Sequence, residues 1–88
     1  MANSRSALKR VKTSEKRRLR NRRVKSHVRT FVRRFEDTVA SGEGDAGEAL
    51  RLAVKAIDRA AGKGVLHKNT AARKKARLQK LFNQSEIG

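Results

Sequence analysis

Ten of the seventeen residues in the segment 9–25 are basic: Lys9, Arg10, Lys12, Lys16, Arg17, Arg18, Arg20, Arg22, Arg23 and Lys25. What such side chains do is grip anionic oxygen. The planar arginine fork matches a phosphate with two parallel hydrogen bonds, and lysine adds a point charge. On a helix these positions fall at too many angles to form one stripe, so the segment carries charge on most of its sides. That suits insertion between several stretches of RNA backbone better than docking on one flat surface. Asn21, Thr13 and Ser14 add groups able to hydrogen-bond phosphate or 2′-hydroxyl oxygens. The competing reading is a disordered basic tail that neutralises charge generically. Against it, the segment holds no Gly or Pro, and Leu8, Val11 and Leu19 provide apolar anchoring points.

A second basic segment is Lys63-Gly64-Val65-Leu66-His67-Lys68-Asn69-Thr70-Ala71-Ala72-Arg73-Lys74-Lys75-Ala76-Arg77-Leu78. Gly64 permits a tight loop. Asn69 is a candidate N-cap for the helix that follows, and the open amides of a helix N-terminus can receive a phosphate. Lys63, Lys68, Arg73, Lys74 and Arg77 would line that approach, and His67 in the basic loop would be an RNA contact or a local hydrogen-bond donor. Ala71 and Ala72 are small enough for a helix or RNA backbone to come close. The alternative is an ordinary helix start with a solvated face.

Other chemistries find little support. The two histidines, His27 and His67, stand 40 positions apart without a carboxylate motif around either, so no metal or other cofactor is expected. His27 reads as helix surface. The absence of cysteine removes disulfides, thiolate metal sites and thiol catalysis. Nothing pairs a nucleophile with a base, so no enzyme is expected. The aromatic residues are Phe31, Phe35 and Phe82, all at positions that fit a core. Without Tyr or Trp, stacking on unpaired bases is disfavoured, and folded RNA read by shape and backbone is favoured. No apolar run approaches a membrane span or a signal-peptide core, so a soluble, cytoplasmic protein is expected.

The elements that must position these residues are helical. All six glycines lie after position 41 and there is no proline, while helix formers are frequent before it. One helix from about residue 6 to 40, with Ser4 or Ser6 as cap, would span roughly 50 Å. Val24, Val28, Phe31, Val32, Phe35 and Val39 recur in steps of three and four, which places them on one face. Residues 12–18 contain no apolar side chain, so a packing stripe cannot cross them and the N-terminal half should project. Ser41-Gly42-Glu43-Gly44 reads as a turn, and Asp45 with Glu48 as a capping box. A second helix follows to about residue 61 with Ala46, Ala49, Leu50, Ala53, Val54, Ile57 and Ala60 inward, and Gly62 able to end it in a left-handed conformation. After a loop over 62–66, a third helix should run from about 69 to 83 with Ala72, Leu78, Leu81 and Phe82 inward. The expectation is an all-α three-helix bundle with a long N-terminal helix projecting as a basic arm. It divides one 88-residue domain into an arm (1–23), a three-helix core (24–83) and a tail (84–88).

Charge follows the same division. The net charge is +16, made of +13 over residues 1–34, −3 over 35–62 and +6 over 63–88. A compact monomer with that excess repels itself, and nucleic acid is the commonest polyanion to relieve it. The middle helix should face away from that polyanion.

On these residues the chain resembles the bacterial small-subunit ribosomal protein family numbered twenty, the S-twenty family. The resemblance lies in Ala2-Asn3 with Ser6-Ala7, in the Arg/Lys run around Asn21, in Ile57-Asp58-Arg59-Ala60, and above all in Lys63-Gly64-Val65-Leu66-His67-Lys68-Asn69 leading into Ala71-Ala72-Arg73-Lys74-Lys75. It covers essentially the whole chain. Departures are Leu66 where the family often has isoleucine, Thr70 where it often has lysine, and Ala76 where it often has serine. The resemblance implies a three-helix bundle that binds small-subunit ribosomal RNA directly and stabilises its fold during assembly. It implies contact with the RNA 5′ domain and the long penultimate helix, few or no protein contacts, no membrane, and a monomer within the ribosome.

Two other classes fit the residues less well. A DNA-binding leucine-zipper factor would share Asn69-Thr70-Ala71-Ala72-Arg73 superficially, but its alanine spacing is off by one and too little chain follows Arg77 for a zipper. A module docking on an acidic protein or anionic membrane would use the amphipathic face over 24–39, which is better explained as core.

Overall fold

The structure is a computed structural model that describes residues 3–87, with side chains over 7–86. The long stretch without glycine or proline forms one helix, α1 (Asn3–Ser41), of 39 residues. It begins earlier than expected, so Ser4 and Ser6 lie inside it and neither is its cap. The Thr13, Thr30 and Thr38 hydroxyls each donate to the carbonyl four residues back, at 2.8, 2.9 and 2.8 Å. These side chains thus satisfy themselves on the helix without breaking it.

Gly42 stops α1. Its φ of 70° is open to glycine at little cost, and its amide donates to the Thr38 carbonyl at 3.0 Å. The Glu43 amide donates to Ser41 Oγ, and Asp45 then caps α2 (Ala46–Gly62) by accepting the Glu48 amide at 3.1 Å. Only this half of the expected capping box forms. The Glu48 carboxylate turns outward to Arg51, accepting from its Nε at 2.9 Å and its Nη2 at 2.6 Å.

The end of α2 differs from the sequence expectation. Gly62 stays helical, Lys63 is the C-cap, and Gly64 takes the left-handed conformation with φ 77°. The Gly64 amide donates to the Ala61 carbonyl and the Val65 amide to Ala60, the paired bonds of a Schellman motif. Two glycines two positions apart are equivalent to a sequence reader; the hydrogen bonds select the second. Next, α3 (Lys68–Ile87) starts one residue before Asn69 and runs four past position 83, through the residues expected to form a tail. Asn69 is therefore not the cap. His67 is: its Nδ1 accepts the Asn69 amide at 3.1 Å.

The core draws Val28 and Phe35 from α1, Leu50, Ala53, Ala56, Ile57 and Ala60 from α2, and Ala71 and Leu78 from α3. Phe35 and Ile57 are fully enclosed, and Val24, Phe31, Val32, Val39, Leu81 and Phe82 pack around them. The alanine-rich face of α2 brings its backbone close to both neighbours. One inward assignment is corrected: Ala72 is exposed and Ala71 is buried in its place. The rotation of α3 that seats Ala71 and Leu78 seven residues apart also turns Lys75 toward Asp58 of α2, at 2.8 Å. Ala56 is a core member absent from the expected set.

The first half of α1 leaves this core. Every side chain over 7–20 is exposed, and the molecule extends 67 Å along its long axis against 23 and 14 Å across.

Two outcomes follow. Phe35→Ala should cost about 3–5 kcal/mol, and half-buried Phe31→Ala clearly less. Equal losses in denaturant melts would contradict the packing. Deleting residues 1–20 should leave a chain that still melts cooperatively by circular dichroism; loss of the transition would make the arm part of the core.

Candidate nucleic-acid interface

The basic residues of the arm lie on successive faces of α1. Lys9, Arg10, Arg17 and the hydroxyls of Thr13 and Ser14 border one shallow groove; Arg18, Asn21, Arg22, Lys25 and Arg29 border another. At about 100° of advance per residue, the two grooves are roughly a third of a turn apart. Lys12, Lys16, Arg20 and Arg23 fill angles between them. Asn21 is half-buried, while the ten basic residues of 9–25 are all exposed. Continuous helix order, not a coil, spaces the charges along this rod.

In the second segment, Lys63, Gly64, His67, Lys68, Asn69, Arg73, Lys74 and Arg77 are all exposed. The Schellman motif holds the loop against the end of α2, and His67 fixes the entry into α3. Locally His67 accepts a hydrogen bond rather than donating one: its Nδ1 takes the Asn69 amide. One of the first-turn amides of α3, that of Asn69, is already occupied by this bond.

Ion pairing leaves the arm untouched and takes only Lys75 from the second segment. Among the described residues the salt bridges are Arg51 with Glu48 and Lys75 with Asp58, and neither uses a residue assigned to the interface. Lys75 sits in the middle of the second basic segment yet faces α2. Asp45, Glu48 and Asp58 lie on or beside α2, where Arg51, Lys55 and Arg59 balance them, so the middle helix is close to neutral; the net −3 of residues 35–62 comes from Glu36 and Asp37 of α1 and Glu43 of the turn.

The tertiary structure brings the two segments together at one place. Lys25 of α1 and Lys74 of α3 border a common groove with Arg29. Arg29 was not among the residues singled out from the sequence, because it lies beyond the dense run. The signal was its spacing: Lys25, Arg29 and Arg33 follow one another every four residues and continue one side of the arm into the packed half of α1. Arg34 is differently engaged, with its guanidinium 5.2 Å from the centre of the Phe31 ring. His27 meets the same ring edge-on at 4.7 Å between centroids, in keeping with a helix-surface role. Among the described residues no group of His, Cys, Asp and Glu could hold a metal ion, and no helix is long and apolar enough to cross a membrane.

The sequence matches the family model described as ribosomal protein S20 over residues 2–83. It is 55% identical over 84 residues to the small ribosomal subunit protein bS20 of Caldanaerobacter subterraneus subsp. tengcongensis, covering 94% of this chain and 80% of that one. The protein of the same name from Heliobacterium modesticaldum is 49% identical over 88 residues, covering 99% of this chain and 100% of that one. The one from Frankia casuarinae is 54% identical over 79 residues, covering 89% of each.

The cap at α3 gives a direct check. His67→Ala should lower the free energy of unfolding by about 1 kcal/mol, and Asn69→Ala should change it by less than about 0.5 kcal/mol. The reverse order in urea melts would return the cap to Asn69.

Proposed function

Because the chain belongs to the ribosomal protein S20 family, and so is a structural protein of the small ribosomal subunit rather than an enzyme, we propose that it binds ribosomal RNA directly through α1 and the start of α3 and stabilises the folded RNA during assembly. The observation that carries this reading is α1 itself. A helix of 39 residues, about 60 Å long, holds ten exposed basic side chains around its outer half with no acid paired to them among the described residues.

The residues assigned to RNA are those of the two segments. Lys9, Arg10, Lys12, Lys16, Arg17, Arg18, Arg20, Arg22, Arg23 and Lys25 bind phosphates between RNA helices, with Asn21 adding a hydrogen bond. Around the turn into α3, Lys63, Lys68, Arg73, Lys74 and Arg77 supply charge. Gly64 allows the backbone to approach, and His67 and Asn69 offer neutral polar contacts. A rod with cations at many angles neutralises phosphates of more than one RNA segment at once, which holds those segments together. Each contact releases condensed cations, so the driving force is largely entropic and salt-sensitive. Recognition is of shape, because phosphate contacts position the protein without reading sequence. The RNA partners by family resemblance are the 5′ domain and the long penultimate helix, with few protein neighbours. The protein acts as a monomer in the small subunit, in the cytoplasm. Residues 1–23 serve as the RNA arm and 24–83 as the core that anchors it.

Salt dependence measures the number of contacts. If about 6–8 phosphates are neutralised, log affinity for the native RNA should fall with log salt at a slope near −4 to −7. Replacing Arg17 and Arg18 together by alanine should make the slope shallower by about one to two units, and should weaken binding to scrambled structured RNA in similar proportion. Filter binding at several salt concentrations reads both; an unchanged slope would remove this part of the arm from the phosphate contacts.

A further inference from the structure

The groove shared by α1 and α3 differs in kind from the other basic surfaces. Those over Lys9–Arg17 and Arg18–Arg29 are lined by polar and charged side chains of α1 alone. This one encloses about 240 Å³ and has an apolar floor made of Val28, Val32 and Leu66, with Lys25, Arg29 and Lys74 around its rim. Val28 is buried and Val32 and Leu66 half-buried, while the three cations are exposed. The floor is fixed in place. Leu66 follows the Schellman turn and donates its amide to the Ala60 carbonyl at 3.3 Å, and Val28 belongs to the core cluster.

A phosphate alone would use the rim and leave the hydrocarbon floor in water. An apolar peptide or a second copy of this chain would cover the floor and bury three like charges against it, at a large desolvation cost. The ligand that answers both parts has a compact body with an apolar face, linked to more than one negative charge. An RNA nucleotide turned out of its helix has that chemistry: a base whose face can rest on methyl groups, with a phosphate on either side. A base-paired nucleotide does not, since its faces are covered by the stack and only backbone is offered. Pockets for extruded bases use apolar side chains as well as aromatic ones to hold the ring. The volume lies below the range of about 300–1,000 Å³ usual for small-molecule sites, which fits one base better than a larger ligand.

We infer that this groove seats a single unpaired nucleotide of the bound RNA, its base on Val28, Val32 and Leu66 and its flanking phosphates on Lys25, Arg29 and Lys74. The inference rests on the RNA-binding reading above and extends it. Beside a rod that grips duplex backbone wherever phosphates converge, the protein has one place that selects a bulged or looped-out position and so sets where along the RNA the rod is anchored.

The test compares two RNA hairpins, identical except that one carries a single unpaired adenosine, each titrated with the full chain. The wild type should bind the bulged hairpin roughly tenfold tighter, about 1.4 kcal/mol. Val32→Thr, which keeps the side-chain shape and makes the floor polar, and Leu66→Ser should bring that ratio to about one while leaving affinity for the paired hairpin within about twofold, the circular dichroism spectrum serving as the check on folding. Arg17→Ala with Arg18→Ala should weaken both hairpins and preserve the ratio. Equal binding of the two hairpins by the wild type, or a ratio that survives both floor variants, overturns the seat and leaves the RNA-binding reading standing. Failure of the wild type to bind either hairpin overturns both.

Discussion

The outer half of α1 extends a helix whose inner half is packed. A helical stretch with no tertiary contact must meet the cost of nucleation itself, and stretches shorter than about 12–15 residues are marginal in water. Here the nucleus is supplied elsewhere. Phe35 and Val28 are held against α2, so the helix is already formed when it leaves the core, and each further residue toward the arm adds a hydrogen bond without a new nucleation step. The exposed cations of 9–25 oppose this by mutual repulsion, which a bound polyanion removes. The same helix is therefore both a core element and an exposed basic rod, and its continuity near residue 24 joins the two.

The middle helix makes that arrangement tolerable. Its inward face is mostly alanine, with Ala53, Ala56 and Ala60 around Ile57, so α1 and α3 approach closely without large side chains between them. Its outward face carries the acids Glu48 and Asp58 among the bases Arg51, Lys55 and Arg59. Asp58 takes up Lys75, which would otherwise add to the positive field of α3. Glu48 takes up Arg51, and that hydrogen bond, with the adjacent charge, holds the Glu48 carboxyl below the usual carboxylate range. Both pairs are solvent-exposed, so they contribute little to stability. What they shape is the distribution of charge: Arg51 of α2 and Lys75 of α3 are neutralised, while the cations of the arm and Arg73, Lys74 and Arg77 of α3 stay outside both pairs.

The link between α2 and α3 decides where the second basic segment points. Gly64 adopts a conformation that strains a residue with a Cβ, and the amides that follow it close onto Ala60 and Ala61. His67 then fixes the first turn of α3 from its own backbone neighbourhood. With both ends of the loop tied, Leu66 stands beside α1 and Lys74 faces Lys25 and Arg29. A loop that ended one residue differently would rotate α3 by about 100° and separate these groups.

What the amino-acid order determined by itself is local in origin. The three helices follow from the absence of breakers before residue 42 and from glycine clusters after it. The packed face of α1 follows from apolar residues three and four apart. The charge division follows from composition, and the Asp45 cap from a side chain three residues from the amide it binds. Tertiary structure decided the choices among near-equals. Ala71 and Ala72 are identical in hydrophobicity and differ only in angle, so burial of the first depended on how α3 docks. Gly62 and Gly64 are both able to turn left-handed, and the carbonyls of Ala60 and Ala61 chose the second. Asn69 has the stronger capping propensity, yet His67 was the side chain placed to accept. Ala56 entered the core, and Arg29 joined Lys25 and Lys74, through contacts between elements distant in the chain. Periodicity identifies a face to within a residue or two; only packing against a partner, where a 100° rotation exchanges buried for exposed, selects one residue from its neighbour.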